Sequence, residues 1–231
     1  NCRVFATSAS LRNIFISKDT SELDHLHDLM GKDALKFECR SLIDFKPRPF
    51  DVQSHNFEVV FFSSIRSAKF LSESKKINLG LYQLACAGPQ TALKLSEMGL
   101  EADFIASNAS NPKYVSQDFS SWLGDRKVFI PSSNRSLRSV EQSIPADQIE
   151  RVVVYETVLL PIKVVSTDVL VFTSPSNVHA FFIENEILEN SIVVAWGQST
   201  KKALLEYGCQ ASIILAEGTL TELKSILESM H

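Results

Sequence analysis

GPQTALKLSEMGLEADFIAS (residues 88–107) is echoed by GQSTKKALLEYGCQASIILAE (residues 197–217). With Gly88 set on Gly197, Thr91 meets Thr200, Leu95 meets Leu204, Gly99 meets Gly208 and Ala102 meets Ala211, without a gap. Upstream, VVFFSSIRSAKFL (59–71) is echoed by VLVFTSPSNVHAFF (169–182). A period of about 110 residues is far too long for a solenoid and marks two copies of one α/β domain. If two such domains face each other, their matching loops line a shared cleft, and function is to be sought there.

Short β-rich apolar runs alternate with helical patterns, which predicts parallel sheets covered by helices. Strands are expected at 13–17, 35–39, 58–62, 80–86, 102–105, 127–130, 152–155, 168–172, 192–195 and 211–215. Helices are expected at 20–30, 65–72, 90–98, 112–123, 136–142, 176–186, 199–207 and 220–229. Gly99 and Gly208 each follow an apolar-periodic helix, where a stop residue must adopt left-handed geometry. The second copy lacks opening strands, and the unit 13–39 has no counterpart immediately before Asp168. The expected fold is therefore α/β, with two flavodoxin-like or Rossmann-like parallel-sheet domains, the second inserted into the first and joined by two linkers. Residues 1–40 plus 159–231 form the discontinuous first domain, and 41–158 the inserted second. The crossings fall in LIDFKPRPF (42–50), whose two prolines disfavour regular structure, and in ETVLLPI (156–162). Paired linkers permit a hinge.

Composition narrows the function. A chain of 231 residues with 45% hydrophobic content can fill two small cores. Its net charge of -4 and lack of any basic run argue against nucleic acid as partner. Mean hydropathy is +0.03, and no apolar run approaches the ~20 residues that span a bilayer, so no membrane association is expected. The opening NCRVFATSASLRNIFIS has no basic segment followed by a long apolar one, so secretion is not expected. Cys2, Cys39, Cys86 and Cys209 show no CxxC or CxH spacing and read as reduced thiols of a cytoplasmic protein, mostly in strands or at their ends. His25, His27, His55, His179 and His231 lack metal-ligand spacing, so no metal site is expected and solvated surface is their reading.

Four strand-to-helix turns carry the chemistry: SSIRSA (63–68), GPQTA (88–92), SPSNVHA (174–180) and GQSTKKA (197–203). Taken singly, each reads as an N-cap, its hydroxyl satisfying first-turn amides. Taken together, they lie where doubly wound sheets bind ligands, and helix N-termini there offer N–H groups and partial positive charge. Two facing sets suit a ligand with several anionic groups. Neither GPQT nor GQST fits a dinucleotide or P-loop pattern, and no GxSxG elbow occurs. An enzyme built this way acts by holding and orienting a reactive substrate.

The ordered set VVFFSSIRSA, LACAGPQTALKLSEMGLEADF, VFIPSSNRSLRSV, RVVVYETVLLP, VLVFTSPSNVHAFF and VVAWGQSTKKALLEYG resembles the uroporphyrinogen-III synthase family, from about Asn13 to the end. Two departures are the first turn, ISKD (16–19) where many members have Thr-Arg-Pro, leaving Lys18 the only nearby cation, and residues 1–11, an extension that is an added strand or a disordered tail. The resemblance implies the inserted-domain topology and a lyase acting on hydroxymethylbilane, a linear tetrapyrrole with four acetates and four propionates. Loss of its terminal hydroxyl as water gives an azafulvene. Attack through the substituted α-carbon of ring D gives a spiro intermediate, which fragments and recloses with ring D inverted. Left alone, the substrate closes to the type I isomer, so the protein's task is control of geometry, with no metal or organic cofactor.

The resemblance also assigns roles. Ser63, Ser64, Gln90, Thr91, Ser174, Ser176, Ser199 and Thr200 would bind carboxylates, with Gly88 and Gly197 allowing close backbone approach. Tyr155, in the VYET segment, would assist departure of the hydroxyl directly or through a water, or else tie down the linker. Arg135 would pair with a propionate or lie solvated; Arg138 reads as solvated. The tetrapyrrole is the expected partner, with transient contact to the preceding deaminase, and a monomer suffices. The rivals are a non-catalytic two-lobed binding protein for a small anion and a one-lobed flavodoxin-like regulatory module.

Overall fold

The computed structural model describes residues 12–32, 34–107, 111–165 and 167–230. The 1–11 extension, with Cys2, and His231 lie outside the described residues. In chain order the elements are β1 (Arg12–Ile16), α1 (His27–Met30), β2 (Leu35–Cys39), β3 (Ile43–Pro47), β4 (Val59–Phe62), α2 (Ile65–Ser74), β5 (Gln83–Cys86), α3 (Pro89–Glu97) and β6 (Phe104–Ile105). They continue with α4 (Pro112–Leu123), β7 (Val128–Ser133), β8 (Ile149–Leu159), β9 (Val169–Phe172), α5 (Pro175–Glu184), β10 (Ile192–Ala195), α6 (Gln198–Glu206), β11 (Ile213–Ile214) and α7 (Leu220–Glu228).

The strands form two sheets, in the orders β11-β10-β9-β1-β2 and β3-β8-β7-β4-β5-β6. Parallel pairing joins β1 to β2 and β9, β10 to β9 and β11, β4 to β5 and β7, β5 to β6, and β7 to β8. The repeat is visible as β4-β5-β6 in one sheet and β9-β10-β11 in the other. β1 and β2, from the start of the chain, complete the sheet of β9, as the missing opening strands of the second copy require. The chain divides into two compact units, Asn1–Asp44 with Leu159–His231, and Phe45–Val158.

The short central strands are apolar without interruption because both of their faces are covered. In β4, Val60 and Phe62 pack with Ala68 and Leu71 of α2 and Leu95 of α3. Val59 and Phe61, facing the other way, pack with Val115, Phe119 and Leu123 of α4. β9 repeats the division: Val169 and Val171 meet Leu223 and Leu227 of α7, whereas Leu170 and Phe172 meet Val178, Phe181, Ala203 and Leu204. Each helix of the repeat then ends in the same way. Gly99 (φ 76°) and Gly208 (φ 70°) are left-handed. Leu100 and Gly99 donate to the carbonyls of Leu95 and Ser96, and Cys209 and Gly208 to those of Leu204 and Leu205. These are paired Schellman stops.

Three expectations are corrected. Residues 20–30 form no continuous α-helix but two 3-10 turns, Thr20–Glu22 and Asp24–Leu26, followed by the single turn of α1. The cause is spacing: Leu23, Leu26 and Leu29, all fully buried, recur every third residue. Three residues complete a 3-10 turn but fall about 60° short of an α-turn. Residues 136–142 also lack an α-helix; Arg138 takes a left-handed conformation (φ 53°) before a 3-10 run at Ser139–Ser143. The crossing segments are strands: β3 and β8 lie side by side. β3 is an edge strand, where Pro47 forfeits no ladder hydrogen bond, and the β-branched run of β8 continues past Tyr155 to Leu159.

Beyond the strands the two crossings are held together and to α5. Leu160 N–H donates to Leu42 O (2.8 Å), Leu42 N–H to Asn177 Oδ1 (2.9 Å), and Val164 N–H to Asn185 Oδ1 (2.8 Å). Cys39 ends β2, Cys86 ends β5 and Cys209 follows α6; all three are free thiols. Burial, reinforced by the neighbouring Glu38, pushes Cys39 up to about 11. Burial also raises Cys86, against a lowering contact with the Gly88 carbonyl, and raises Cys209.

At Gly99 and Gly208 an added Cβ meets no atom within 4 Å, so replacement strains only the backbone. Gly99→Ala and Gly208→Ala should each lower unfolding free energy by about 1–2 kcal/mol, with Asn costing less, as urea titration would measure. Native Cys39 should react with iodoacetamide at near-background rate at pH 8 and accelerate as pH approaches its raised value. Because the unfolded thiol ionises first, Cys39 should also withdraw stability as pH rises from about 9 toward 11.

Candidate active site

Parallel strands send their carboxyl ends, and the helix N-termini that follow, to one edge of each sheet. In the unit Phe45–Val158, β4 passes through Ser63 and Ser64 into α2. Ser63 is exposed and Ser64 half-buried. Ser64 is the N-cap of α2 in extended geometry, and its side chain makes no capping hydrogen bond. Its Oγ lies 3.5 Å from Tyr155 Oη, with either able to donate. Only 7% of Tyr155 is exposed. Its ring stacks on Phe70 (5.0 Å between centroids, 15° between planes) and takes the edge of Phe45 at 5.9 Å. Phe45 in turn underlies the Arg66 guanidinium at 4.0 Å.

Tyr155 pairs with Ser133 across an irregularity between Ser132 and Ser133. Beyond it, Asn134 fastens the turn to β8, its N–H donating to Tyr155 O (3.3 Å) and its Oδ1 accepting from Thr157 N–H (2.9 Å). Arg135 is exposed, with its own N–H donating to Ser133 Oγ at 3.2 Å. Arg138 is exposed as well. Next to β4, β5 leads through Gly88 into α3. Gly88 is buried and extended (φ 166°), and Pro89 contributes no N–H. Thr91 N–H and Ala92 N–H both donate to Gly88 O. Gln90 is exposed and Thr91 half-buried.

The other unit repeats the plan with different side chains. Ser174 caps α5, and both Ser174 and Ser176 are half-buried. Gly197 caps α6 with no side-chain hydrogen bond and extended backbone (φ 176°). A Cβ placed on it meets nothing within 4 Å, so neither conformation nor protein packing calls for glycine there. Ser199 is exposed, but Thr200 is 2% exposed. In this turn the outward donors are therefore Ser199 and the backbone, while Thr200 belongs to the interior.

Several groups at these edges escape a reading of single turns. Ser17, at the end of β1, exchanges hydrogen bonds with Thr173: Thr173 N–H to Ser17 Oγ (2.9 Å) and Thr173 Oγ1 to Ser17 O (2.8 Å). The signal was present, since FIS and FTS both end apolar strands in a hydroxyl residue. Lys18 is paired with Glu22 at 2.7 Å. His179, expected in solvent, is half-buried against Tyr207, Nδ1 to Oη 3.1 Å. A cavity of about 780 Å³, lined by Arg48, Gln53, Lys127, Glu150 and Arg151 among others, lies at the opposite, amino edge of the β8 sheet, away from these turns. Among the described residues, no group of three or more His, Cys, Asp or Glu is placed to hold a metal ion.

Comparison with known proteins matches this plan. The family model described as uroporphyrinogen-III synthase HemD covers residues 24–225. Uroporphyrinogen-III synthetase from Helicobacter pylori is similar in fold, with a TM-score of 0.67 at 18% identity over 95% of this chain and 99% of that one. A mutant uroporphyrinogen-III synthase from Thermus thermophilus gives 0.64 at 14% identity over 95% and 98%. No curated protein matches the sequence. With nearly the whole chain inside one family model and the expected two-sheet topology in place, this chain belongs to the uroporphyrinogen-III synthase family, hydro-lyases of tetrapyrrole biosynthesis.

Proposed function

We propose that the carboxyl-edge turns receive the acetates and propionates of hydroxymethylbilane and that Tyr155 assists loss of its hydroxyl. Ser63, Ser64, Gly88, Gln90 and Thr91 serve in one unit, and Ser174, Ser176, Gly197, Ser199 and the first-turn backbone around Thr200 in the other. Amide donors suit this ligand because they carry no counter-charge that has to be desolvated, and the helix field favours anions. Arg135, exposed beside the Tyr155 strand, pairs with a propionate. The observation that carries the reading is the placement of Tyr155: a hydroxyl held by two aromatic rings beside the uncapped Ser64.

In the first step the bond from the terminal carbon to its hydroxyl oxygen breaks. The adjacent pyrrole supplies the electron pair, and the leaving hydroxyl takes a proton from Tyr155 to depart as water. The phenol is restored by the proton released when the macrocycle recloses, and Ser64, within reach of the phenol, can relay it, taking up one proton as it passes on its own. The azafulvene is then closed by ring D through its substituted α-carbon, and the held carboxylates decide which carbon arrives. Spontaneous closure competes, so rapid capture from the preceding deaminase by transient contact is part of the reading. The three free thiols suit a reducing cytoplasm, and no helix among the described residues is long and apolar enough to cross a membrane. A monomer is sufficient.

The test couples porphobilinogen and the deaminase to this protein, oxidises the products and separates the isomers; exclusive type I product at high protein concentration rejects the assignment. Tyr155→Phe preserves both ring contacts, so turnover should fall about 100-fold while product affinity stays within about two-fold. Unchanged turnover would give the hydroxyl a structural role. Gly197→Ala should leave the unfolding midpoint in place, since its Cβ enters open space, yet raise KM about ten-fold by obstructing the ligand.

A further inference from the structure

The side chain of Asn177 occupies the first turn of α5, and the residue is 3% exposed. Four hydrogen bonds define it. Leu42 N–H meets one end of its amide at 2.9 Å. The other end meets Thr173 Oγ1 at 3.3 Å and Ser174 Oγ at 3.0 Å. Its backbone N–H also reaches Ser174 Oγ, at 3.3 Å. A backbone N–H only donates, so the atom facing Leu42 is the amide oxygen, and the NH2 group therefore points at the two hydroxyls.

The direction of every proton in the cluster follows. Thr173 Oγ1 donates to Ser17 O. Its contact with Ser17 Oγ at 3.3 Å is then donated by Ser17, so Thr173 receives from Ser17 and from Asn177 and is complete. Ser174 Oγ receives two hydrogen bonds, one from the Asn177 side chain and one from its backbone, which occupies both lone pairs. Its own proton has no acceptor among the described residues and is committed outward.

We infer that Asn177 is a positioning residue that fixes Ser174 as a donor-only hydroxyl, and so makes this turn selective for an anionic oxygen of the substrate. The inference rests on the reading that Ser174 meets a substrate carboxylate. Such a hydroxyl gives a carboxylate a charge-assisted hydrogen bond and gives a neutral donor nothing. The first copy has no such device. There the equivalent residue is Ser67, which donates to Ser64 O at 2.7 Å, and Ser64 keeps a hydroxyl able to give or take.

Asn177→Asp keeps the acceptor for Leu42 but removes the donor, so Ser174 turns its proton inward to the new carboxylate. Asn177→Ser installs the first copy's residue and provides a smaller alternative should the aspartate destabilise the fold. Each is made alone and with Ser174→Ala, and KM, kcat and the thermal midpoint are recorded. Ser174→Ala and each Asn177 variant should raise KM about ten-fold with kcat little changed, and the double variants should be no worse than the singles. Independent, multiplying effects on KM, or a loss that tracks only the thermal midpoint, would overturn the inference. In the free protein, NMR should show the Asn177 side-chain amide protons protected from exchange and shifted by Ser174→Ala; rapid exchange also overturns it. Protected amide protons in a wild type that yields only type I product would instead reject the proposed reaction and leave the hydrogen-bond assignment standing.

Discussion

Parallel pairing is the constraint on which the rest depends. Once β4 and β5, or β9 and β10, run the same way, the chain must return over the sheet as a helix, and each such helix opens at the same edge. Its first amides have no partner within the helix. At α4, α5 and α7 that deficit is met in part by side chains: Asn111, Ser174 and Thr219 each cap their own helix. At α2, α3 and α6 it is not met by the capping residue. These three follow the central strands β4, β5 and β10, but α5, after the central strand β9, is capped by Ser174, and the one-turn α1 has no side-chain cap either.

The two copies solve the same backbone problem with different side chains, and the difference is chemically meaningful. In one unit the serine before the helix stands next to a buried phenol whose ring is fixed by Phe45 and Phe70. In the other it is saturated by an asparagine anchored to Leu42. The first arrangement leaves proton traffic open; the second forbids it and favours anion binding. A duplicated scaffold can thus set two different hydroxyl polarities at equivalent turns without altering a strand.

What the sequence made legible was local or periodic. The gapless repeat, the apolar runs Val59–Phe62 and Val169–Phe172, and the stops at Gly99 and Gly208 each follow from short-range rules, and the structure reproduces them. The 20–30 segment failed because three leucines at a spacing of three satisfy an α-helical pattern loosely and a 3-10 pattern well. Pro47 was read as a breaker because its place at a sheet edge is a tertiary fact. The turns holding Ser64, Gly88, Ser174 and Gly197 were found from their composition. Their partners were not: Asn177 meets Leu42 across 135 positions and Tyr155 meets Ser64 across 91, and no window of sequence contains both ends of either contact.

Geometry of this kind explains how a chain of the synthase family can work without gathered catalytic groups. The competing outcome is the substrate's own spontaneous closure, so a modest acceleration is enough if the approach of ring D is fixed. Fixing it calls for rigid donors more than for strong acids or bases. Around the proposed donors the structure is tightly packed: Gly88 is buried, Thr200 turns into the core beside Ser199, Asn177 is closed in, and the ring of Tyr155 lies against Phe70 and Phe45. A hydroxyl free to rotate would present a lone pair as readily as a proton. In the second copy that freedom is removed by the Leu42 amide, a group that can only give, and its polarity passes through Asn177 to Ser174.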